Sequence, residues 1–409
     1  MFDLIKNDKT FVVFDIGFGK IACLSFKIEN KQPKIIGMDY QKSEGLGNFC
    51  LNNSEKLSST IQKVLNNTLG KNFKNKNKNN IFFSSITDIN AVQKKNLCRI
   101  NAGSLGVTKK DIRKIFKKNL LESKIKGKKI IHSFPQNFIL DEDKITSQPI
   151  TQKCDKLGIS SLNIMIDHKL FKEYENCFKE ININIDNFFD SGISSAFSAL
   201  SEKEKNDGVA CIDIGASTTK VVVMQDKKVI FSKILPLGGN NVTDDLYKGL
   251  EIPKETAETI KILHGNLSPN FNNNIEIRIN SVQQKNINKN IIFGIIKPRY
   301  EEILEIIRDF VFDNIYTRVS VKGIVFAGGA SKIYGLNTLG ENIFNRRCRV
   351  SMSGVNQGFF SNKSEFSTIL GMIKLAQNYK ELQITKKILS SKVFNAIDRL
   401  DNWIEESYA

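Results

Sequence analysis

The sequence predicts an α/β protein made of two related halves, because one strand–turn–strand unit occurs twice and short strands alternate with helices along the chain. Residues 11–28 read FVVFDIGFGKIACLSFKI, and residues 208–224 read GVACIDIGASTTKVVVM. In both, an apolar run reaches an Asp-Ile-Gly turn and a second apolar run follows, which is typical of a β-hairpin. The two aspartates, Asp15 and Asp213, lie 198 positions apart. The repeat is therefore a duplicated unit of domain size, not a short-period array.

The other elements follow from the spacing of apolar residues and from turn signals. Between the hairpins we expect a helix at 54–69, a block of strands IFFSSI, KIIHSF and SLNIMI with one helix around 109–123, and helix–strand–helix over 168–203. After the second hairpin we expect a strand and a glycine turn into a helix within 229–248, a helix at 255–264, a strand IEIRI, an amphipathic helix at 299–319 and a strand GIVFAGG. The strand-rich block at about 82–166 is interpreted as a separate inserted subdomain.

Length and composition fit a large globular protein and disfavour several other classes. The chain has 409 residues, 41% of them apolar, which is enough for two or more subdomains. Seven scattered cysteines without a CxxC pair predict neither a disulfide framework nor a zinc site. The net charge is +17, but lysine is spread along the chain and no basic patch alternates with aromatic residues, so we expect no nucleic-acid binding. No long apolar run and no signal-peptide pattern occurs, which favours a cytoplasmic protein.

The two Asp-Ile-Gly turns have the features of phosphate-binding loops. Glycine allows close approach of the backbone, consecutive N–H groups form an anion-binding nest, and a neighbouring carboxylate can hold magnesium through water. Asp15 and Asp213 are the candidate magnesium-side carboxylates. The candidate phosphate-contacting residues are Gly17, Gly19, Lys20, Gly215, Ala216, Ser217 and Thr218. The turns are not Walker-type loops, because GxxxxGK[ST] is absent and each returns into a strand. Two ordinary tight turns are the alternative, which the repetition disfavours.

Together with GIVFAGGA at 323–330, the paired hairpins resemble the actin, sugar-kinase and heat-shock ATPase superfamily. That resemblance implies an actin-like ATPase fold, with ATP and Mg bound in a cleft between two duplicated α/β halves. It also implies roles for residues outside the hairpins: Gly328, Gly329 and Ala330 near the adenosine, Glu258 and Lys261 near the ribose, and Gly238, Gly239 and Asn240 lining the cleft.

Within this superfamily the chain resembles the FtsA family of bacterial cell-division proteins over nearly its whole length. The motifs that carry the resemblance include IIHSFPQNFILDE, SGISSAFSAL, PLGGNNVTDDL, AETIKILHG, IIKPRYEEIL and FSTILGMIKLA. The inserted block also falls where FtsA carries its characteristic small subdomain. The resemblance implies a protein that polymerises on the cytoplasmic face of the inner membrane at the division site, tethers the FtsZ ring and recruits later division proteins.

The resulting domain prediction follows the chain. It comprises the first actin-like subdomain at 1–81, the inserted subdomain at 82–166, a return to the first subdomain at 167–203, the second half at 204–377, a linker at 378–392 and a C-terminal amphipathic helix at 393–409. The second half includes a smaller subdomain at about 250–320, where the resemblance implies that the FtsZ peptide docks.

Two features leave ATP hydrolysis open. Phe18 and Gly19 stand where FtsA commonly has hydroxyl residues, so side-chain contacts to phosphate are lost. The carboxylate that orients water in related filament ATPases has only Asp190 as a candidate here, just before the SGISSA segment. Because phosphoryl transfer depends on positioning, we expect weak hydrolysis or none.

The C-terminal segment predicts an amphipathic helix that lies in a membrane interface. Its apolar stripe is formed by Val393, Phe394, Ile397, Leu400, Trp403 and Ile404. The segment 393–406 is net acidic, and Lys386, Lys387 and Lys392 just before it could supply attraction to anionic lipid. A terminal helix docked on the protein's own body is the alternative.

Two other functions remain open from the sequence. A pilus-assembly adaptor like PilM shares the inserted subdomain but typically lacks the amphipathic tail. An actin-fold small-molecule kinase would need a catalytic carboxylate that faces a substrate pocket, and none is located.

Overall fold

The computed structural model describes residues 9–30, 32–47, 49–70, 80–103, 106–268, 273–278, 284–312, 321–352 and 363–377. The predicted linker at 378–392 and the predicted tail helix at 393–409 lie outside these ranges. No helix in the described part is long and apolar enough to cross a membrane.

Eighteen strands and ten α-helices are assigned in the described ranges. The strands are β1 (Thr10–Ile16), β2 (Lys20–Glu29), β3 (Gln32–Lys42), β4 (Leu46–Gly47), β5 (Cys50–Leu51), β6 (Asn80–Ile86), β7 (Val92–Asn101), β8 (Lys128–Leu140), β9 (Lys144–Thr146), β10 (Lys156–Asp167), β11 (Asn187–Asp190), β12 (Val209–Ile214), β13 (Thr219–Gln225), β14 (Lys228–Leu235), β15 (Asn274–Arg278), β16 (Gln284–Asn288), β17 (Gly323–Ala327) and β18 (Arg347–Val350). The helices are α1 (Ser54–Leu69), α2 (Lys109–Glu122), α3 (His168–Glu180), α4 (Ser191–Ala199), α5 (Glu202–Asp207), α6 (Gly239–Leu250), α7 (Lys254–His264), α8 (Lys289–Phe312), α9 (Leu336–Phe344) and α10 (Ser367–Gln377).

Two five-stranded sheets have the same strand arrangement. Their orders are β3-β2-β1-β6-β11 and β14-β13-β12-β17-β18. In each sheet a hairpin is extended by a third antiparallel strand on one side and by two parallel strands on the other. The hairpin registers also correspond, because Asp15 pairs with Ala22 and Asp213 pairs with Lys220, each one step before the turn. The predicted duplication is therefore confirmed at the level of topology.

The inserted subdomain is a four-stranded antiparallel sheet, in the order β7-β10-β8-β9, covered by α2. Helix α2 is capped at its N-terminus by Thr108, whose side chain and that of Asp111 form a reciprocal capping box. Ile112, Ile115 and Leu120 of α2 are buried. The subdomain also contacts β14, the edge strand of the second sheet: Gln136 Nε2 donates to Val229 O at 3.0 Å, and Ser232 N donates to Gln93 Oε1 at 3.0 Å.

Helices α4 and α10 are exchanged between the two halves. By chain order α4 belongs to the first half, yet Ile193 and Ala196 pack on the second sheet. Helix α10 is the last element of the second half in the chain, yet Ile369 and Ile373 pack on the first sheet. The two helices cross so closely at Gly371 that a Cβ there would overlap the Ser194 carbonyl. The predicted domain boundaries, which stay a prediction, follow the order of the chain. The hydrophobic core of each half, by contrast, includes a helix from the other half.

For the predicted helix at 299–319, the predicted first residue was wrong. Helix α8 begins at Lys289 and runs through Pro298, and its described part ends at Phe312. Proline is common in the first turn of a helix, and Pro298 lies directly before the predicted start. The apolar face nevertheless continues on both sides of the proline, with Ile292 and Ile296 as buried as Tyr300. Burial of that face outweighs the loss of one backbone hydrogen bond.

Candidate functional site

The turns of the two hairpins meet at one cavity of about 230 Å³ between the halves. A Cβ added to Gly19 in the first turn would lie 2.9 Å from Ala216 Cβ in the second. The lining residues are Asp15, Gly17, Phe18, Gly19, Lys20, Thr87, Asp213, Gly215, Ala216, Thr218, Lys220, Gly328, Gly329, Ser364, Glu365, Ser367 and Thr368. The structure thus brings together, from both halves, most of the residues singled out in the sequence.

The two aspartates at the hairpin turns are buried in the wall of this cavity. Asp15 accepts a hydrogen bond from Ser85 Oγ at 2.9 Å. Burial raises the pKa of Asp15, and the nearby ammonium groups of Lys220 and Lys20 oppose that shift. Asp213 packs against Gly328, where a Cβ would overlap its Oδ1. Gly328 also has φ +87°, so both its backbone conformation and the space beside Asp213 require glycine.

Lys20 places a positive charge on the same cavity. Its Nζ donates to Glu365 O at 2.6 Å and lies 3.5 Å from the centroid of the Phe366 ring. Burial lowers the pKa of Lys20 to about 8. Glu365 also pairs with Lys332 at 2.6 Å. The cavity wall therefore carries two ammonium groups, those of Lys20 and Lys220, which could contact an anionic ligand, beside the carboxylates of Asp15, Asp213 and Glu365.

Gly238, Gly239 and Asn240, predicted to line the cleft, lie at the start of α6 and contact the Asp-Ile-Gly turn of the second hairpin. Gly239 N donates to Gly215 O at 2.9 Å, and Asn240 N donates to Ala216 O at 2.6 Å. The Asn240 amide also donates to Ser217 Oγ at 3.0 Å. Gly238, Gly239, Asn240 and Ser217 therefore adjoin the cavity without lining it. In this structure they hold the loop in place.

Glu258 and Lys261 form a polar group next to the same turn. Their ion pair measures 2.6 Å, and Lys261 Nζ also donates to Gly239 O at 3.0 Å. Ala330 is close by, since a Cβ at Gly239 would lie 3.2 Å from Ala330 Cβ and 3.4 Å from Lys261 Nζ. Ala330 O accepts from Tyr300 Oη at 2.8 Å. This group lies outside the cavity wall, on the side of the second half.

Asp190 has a structural use. Its Oδ1 accepts from Ile193 N at 2.8 Å and caps α4, and its own N–H donates to His132 Nε2 at 2.9 Å. It is buried and is not among the residues that line the cavity. A neighbouring pair of hydroxyl groups, Thr87 and Ser191, lies 2.6 Å apart, and Thr87 lines the cavity.

Several lining residues were not singled out in the sequence. Lys220 stood in the second hairpin unit, and Ser367 and Thr368 stood in the FSTILGMIKLA motif, so the signal was present without an assigned role. Ser364 and Glu365 are brought in by the turn before α10, which sequence patterns do not place.

Magnesium fits this donor set through water. Carboxylate oxygens are suitable ligands, and Asp15 and Asp213 both face the cavity. In the part of the chain that is described, no group of three or more His, Cys, Asp or Glu could hold a metal ion by itself. A magnesium ion here would need ligand phosphate oxygens and water to complete its coordination.

Comparison with protein families finds two matches along the chain. The model described as "Cell division protein FtsA" matches residues 210–371, and the model described as "SHS2 domain inserted in FTSA" matches residues 87–165. Among curated relatives, the cell division protein FtsA of Rhizobium meliloti is 24% identical, covering 98% of this chain and 96% of the relative. The cell division protein FtsA of Buchnera aphidicola subsp. Schizaphis graminum is 25% identical, covering 98% of this chain and 99% of the relative.

Solved structures show a related fold at low sequence identity. A chain of the PilM–PilN type IV pilus biogenesis complex superposes with a TM-score of 0.64 at 12% identity, covering 90% of this chain and 98% of that one. MreB5 of Spiroplasma citri bound to AMPPNP superposes with a TM-score of 0.58 at 14% identity, covering 92% and 98%. At such identities the likeness concerns the fold alone.

Proposed function

The chain belongs to the FtsA family of cell division proteins and has the actin-like ATPase fold, and from this premise we propose that it binds ATP with Mg and polymerises on the inner membrane. There it tethers FtsZ and recruits later division proteins. It acts on the cytoplasmic face of the membrane, at the division site. It does not act on nucleic acid.

One observation carries the nucleotide-binding part of the proposal: two equivalent turns, one from each half, face the same cavity. Their glycines and backbone N–H groups suit the phosphates, and Lys20 and Lys220 supply positive charge. Asp15 and Asp213 would hold Mg through water. Gly328, Gly329 and Ala330 would lie on the adenosine side. The polar group Glu258–Lys261 adjoins them and would contact the ribose.

We propose that hydrolysis is weak or absent. Among the described residues, the only carboxylates that line the cavity are Asp15, Asp213 and Glu365, and Glu365 pairs with Lys332. The Asp190 carboxylate caps α4, so we assign it no catalytic role. The Thr87–Ser191 pair is a weaker group for orienting water than a carboxylate. Bound ATP would then act as a long-lived structural ligand that favours the closed, polymer-forming state.

Nucleotide binding is tested by titrating a fluorescent ATP analogue with Mg into the protein and its Asp213→Asn variant. We expect the variant to bind at least tenfold more weakly, because the charge that attracts the hydrated ion is lost. Asp226→Asn, on the turn between β13 and β14, is the matched control, since this position is exposed and has φ +49°, which asparagine tolerates. Equal affinity of Asp213→Asn and the unaltered protein would refute the site.

The division-ring part is tested by co-sedimentation with vesicles and FtsZ, with and without ATP. We expect FtsZ to reach the vesicle pellet only when this protein is present with an intact tail. Trp403→Ser together with Ile404→Ser should abolish that transfer, because both residues belong to the predicted apolar stripe. Transfer that persists with this variant would show that the tail is not the tether.

A further inference from the structure

Nearly half of the net positive charge is concentrated in one short block of the inserted subdomain. Residues 109–129 contain ten Lys or Arg and only two Asp or Glu, a net charge of +8 in a chain of +17. The block comprises α2 and the turn into β8. By contrast, α3 carries three lysines and three glutamates, with Glu175 paired to both Lys172 and Lys179. The charge is therefore not evenly spread, contrary to the expectation from composition.

The exposed side of α2 is a stripe of lysines that ends in an apolar residue. Lys110, Lys114, Lys117 and Leu121 follow the spacing i, i+4, i+7, i+11, which places them on one helical face. All four are exposed, Leu121 at 51%. The turn that follows adds Lys124, Ile125 and Lys126, which are exposed as well.

These lysines are not neutralised within the described protein. Lys110, Lys114, Lys117, Lys124 and Lys126 make no ion pair or hydrogen bond through their side chains to any described residue. Lys118, on the flank of the stripe, is different: it pairs with Glu122 at 3.6 Å and donates to Arg99 O at 2.8 Å. The stripe therefore presents free ammonium groups with two apolar side chains among them.

We propose that this basic face, defined by Lys110, Lys114, Lys117, Leu121, Lys124, Ile125 and Lys126, is a second membrane contact that binds anionic lipid. The face is a helix surface with singly placed apolar side chains, which suits a flat layer of head groups better than a peptide. Lysines are hydrated point charges that act by diffuse attraction to such a surface. Leu121 and Ile125 are long enough to enter the interfacial layer.

The position of the last described turn of α10, which precedes the tail in the sequence, favours lipid over an acidic protein. Leu120 of α2 and Leu375, two residues before the end of α10, line the same cavity of about 300 Å³. The last described turn of α10 therefore lies near the C-terminal end of α2. Residues 393–406 have one basic and four acidic side chains, so within the tail only Lys386, Lys387 and Lys392, just before this segment, could add attraction to anionic lipid. Stable membrane binding usually needs two signals, and here the tail supplies the apolar one and α2 the electrostatic one.

The test is co-sedimentation of the full chain with vesicles of phosphatidylcholine alone or with about one third phosphatidylglycerol. The variant is Lys110→Gln, Lys114→Gln, Lys117→Gln. The matched control is Lys56→Gln, Lys63→Gln, Lys248→Gln, which removes the same charge from exposed positions of α1 and α6. Each lysine near an anionic surface contributes about a fivefold factor, so we expect the α2 variant to bind the mixed vesicles at least tenfold more weakly at low salt. Binding to phosphatidylcholine alone should not change, and the control should bind like the unaltered protein.

The tail variant Trp403→Ser, Ile404→Ser distinguishes this inference from the proposed function, in which the tail tethers the protein to the membrane. The inference rests on the proposed function only for that role of the tail. If the tail variant loses binding and the α2 variant does not, the inference is wrong and the tether stands. If the α2 variant loses binding and the tail variant does not, the tether is wrong and the inference stands. Tighter vesicle binding by the α2 variant would show that the basic face instead holds the acidic tail, and would overturn the inference. Arginine at the three positions should restore binding, which a folding defect would not allow.

Discussion

Replacement of Gly371 by alanine tests how strongly the crossing of α4 and α10 joins the two halves. A Cβ at Gly371 would overlap the carbonyl oxygen of Ser194 and lie 3.2 Å from its Cα. These are backbone atoms inside a helix, so they cannot rotate away as a flexible side chain would. The helices would have to move apart by roughly 1 Å or more to restore ordinary contact distances.

The expected cost follows from what that movement disrupts. Overpacking a core typically costs about 1–3 kcal/mol, and backbone overlap places this case at or above the upper end. The displaced helices carry Ser198, whose Oγ donates to Ser367 O at 2.6 Å, so a buried hydrogen bond is stretched as well. Ser367 and Thr368 line the cavity, so the movement reaches the proposed nucleotide site. We expect about 3 kcal/mol of lost stability and weaker ATP binding.

The assay is thermal unfolding with and without ATP, compared with Gly294→Ala in α8. Gly294 is also a helical glycine, but a Cβ there meets no atom within 4 Å. The control should gain roughly 0.5–1 kcal/mol, because alanine is favoured over glycine in a helix. For halves of this size, 3 kcal/mol corresponds to a midpoint lowered by about 6 °C or more. If Gly371→Ala unfolds at the same temperature as the unaltered protein and binds ATP equally well, the argument for a tight crossing is refuted.

Three further outcomes are expected. Because the pKa of Lys20 is lowered to about 8, its ammonium group loses its proton as pH rises through that value, and ATP affinity should fall about tenfold between pH 7 and 9. In the same titration, the ATP affinity of Lys20→Arg should not change with pH. Burial lowers the pKa of His132 to about 3, below the unfolded value of about 6.5, so its contribution to stability is complete above pH 6.5 and falls by about 1.4 kcal/mol per pH unit as pH decreases below that value. The variant His132→Gln should lose less stability between pH 7 and pH 5 than the unaltered protein in denaturant unfolding, and an equal loss in both proteins would contradict the assignment. Tyr300→Phe should lower the unfolding free energy by about 1 kcal/mol, because Ala330 O loses its donor, whereas Tyr334→Phe at an exposed position should change nothing measurable in urea unfolding.

Much of the fold could be predicted from the sequence where the signal is local. Each hairpin consists of two apolar runs around a glycine-containing turn, and the turn chemistry alone identifies both copies. The helices at 54–69 and 255–264 were predicted to within one residue of α1 and α7, because their apolar spacing is regular. The start of α8 was missed, since Pro298 is tolerated inside a helix whose apolar face is buried on both sides of it.

The cavity was predictable only in part, for a different reason. Asp15 and Asp213 were identified because they belong to a repeated pattern, and both line the cavity. Ser364 and Glu365 lie in the turn before α10, and Ser364 is held at the cavity by hydrogen bonds to Gly328, a long-range contact without a local signal. Asp190 illustrates the reverse case: a carboxylate before a helix is as suitable for a cap as for catalysis, and only its hydrogen bond to Ile193 distinguishes the two.

The contact between the inserted subdomain and β14 has a mechanical consequence. The insert emerges from the first sheet, yet Gln136 and Gln93 hydrogen-bond to the free edge of the second. If the halves rotate apart, these bonds must break or the insert must move with β14, so a change in the angle between the halves changes the contact between the insert and the second sheet. The same two side chains occupy backbone groups of β14 that another strand would need, so this edge of the second sheet is less open to pairing with foreign chains.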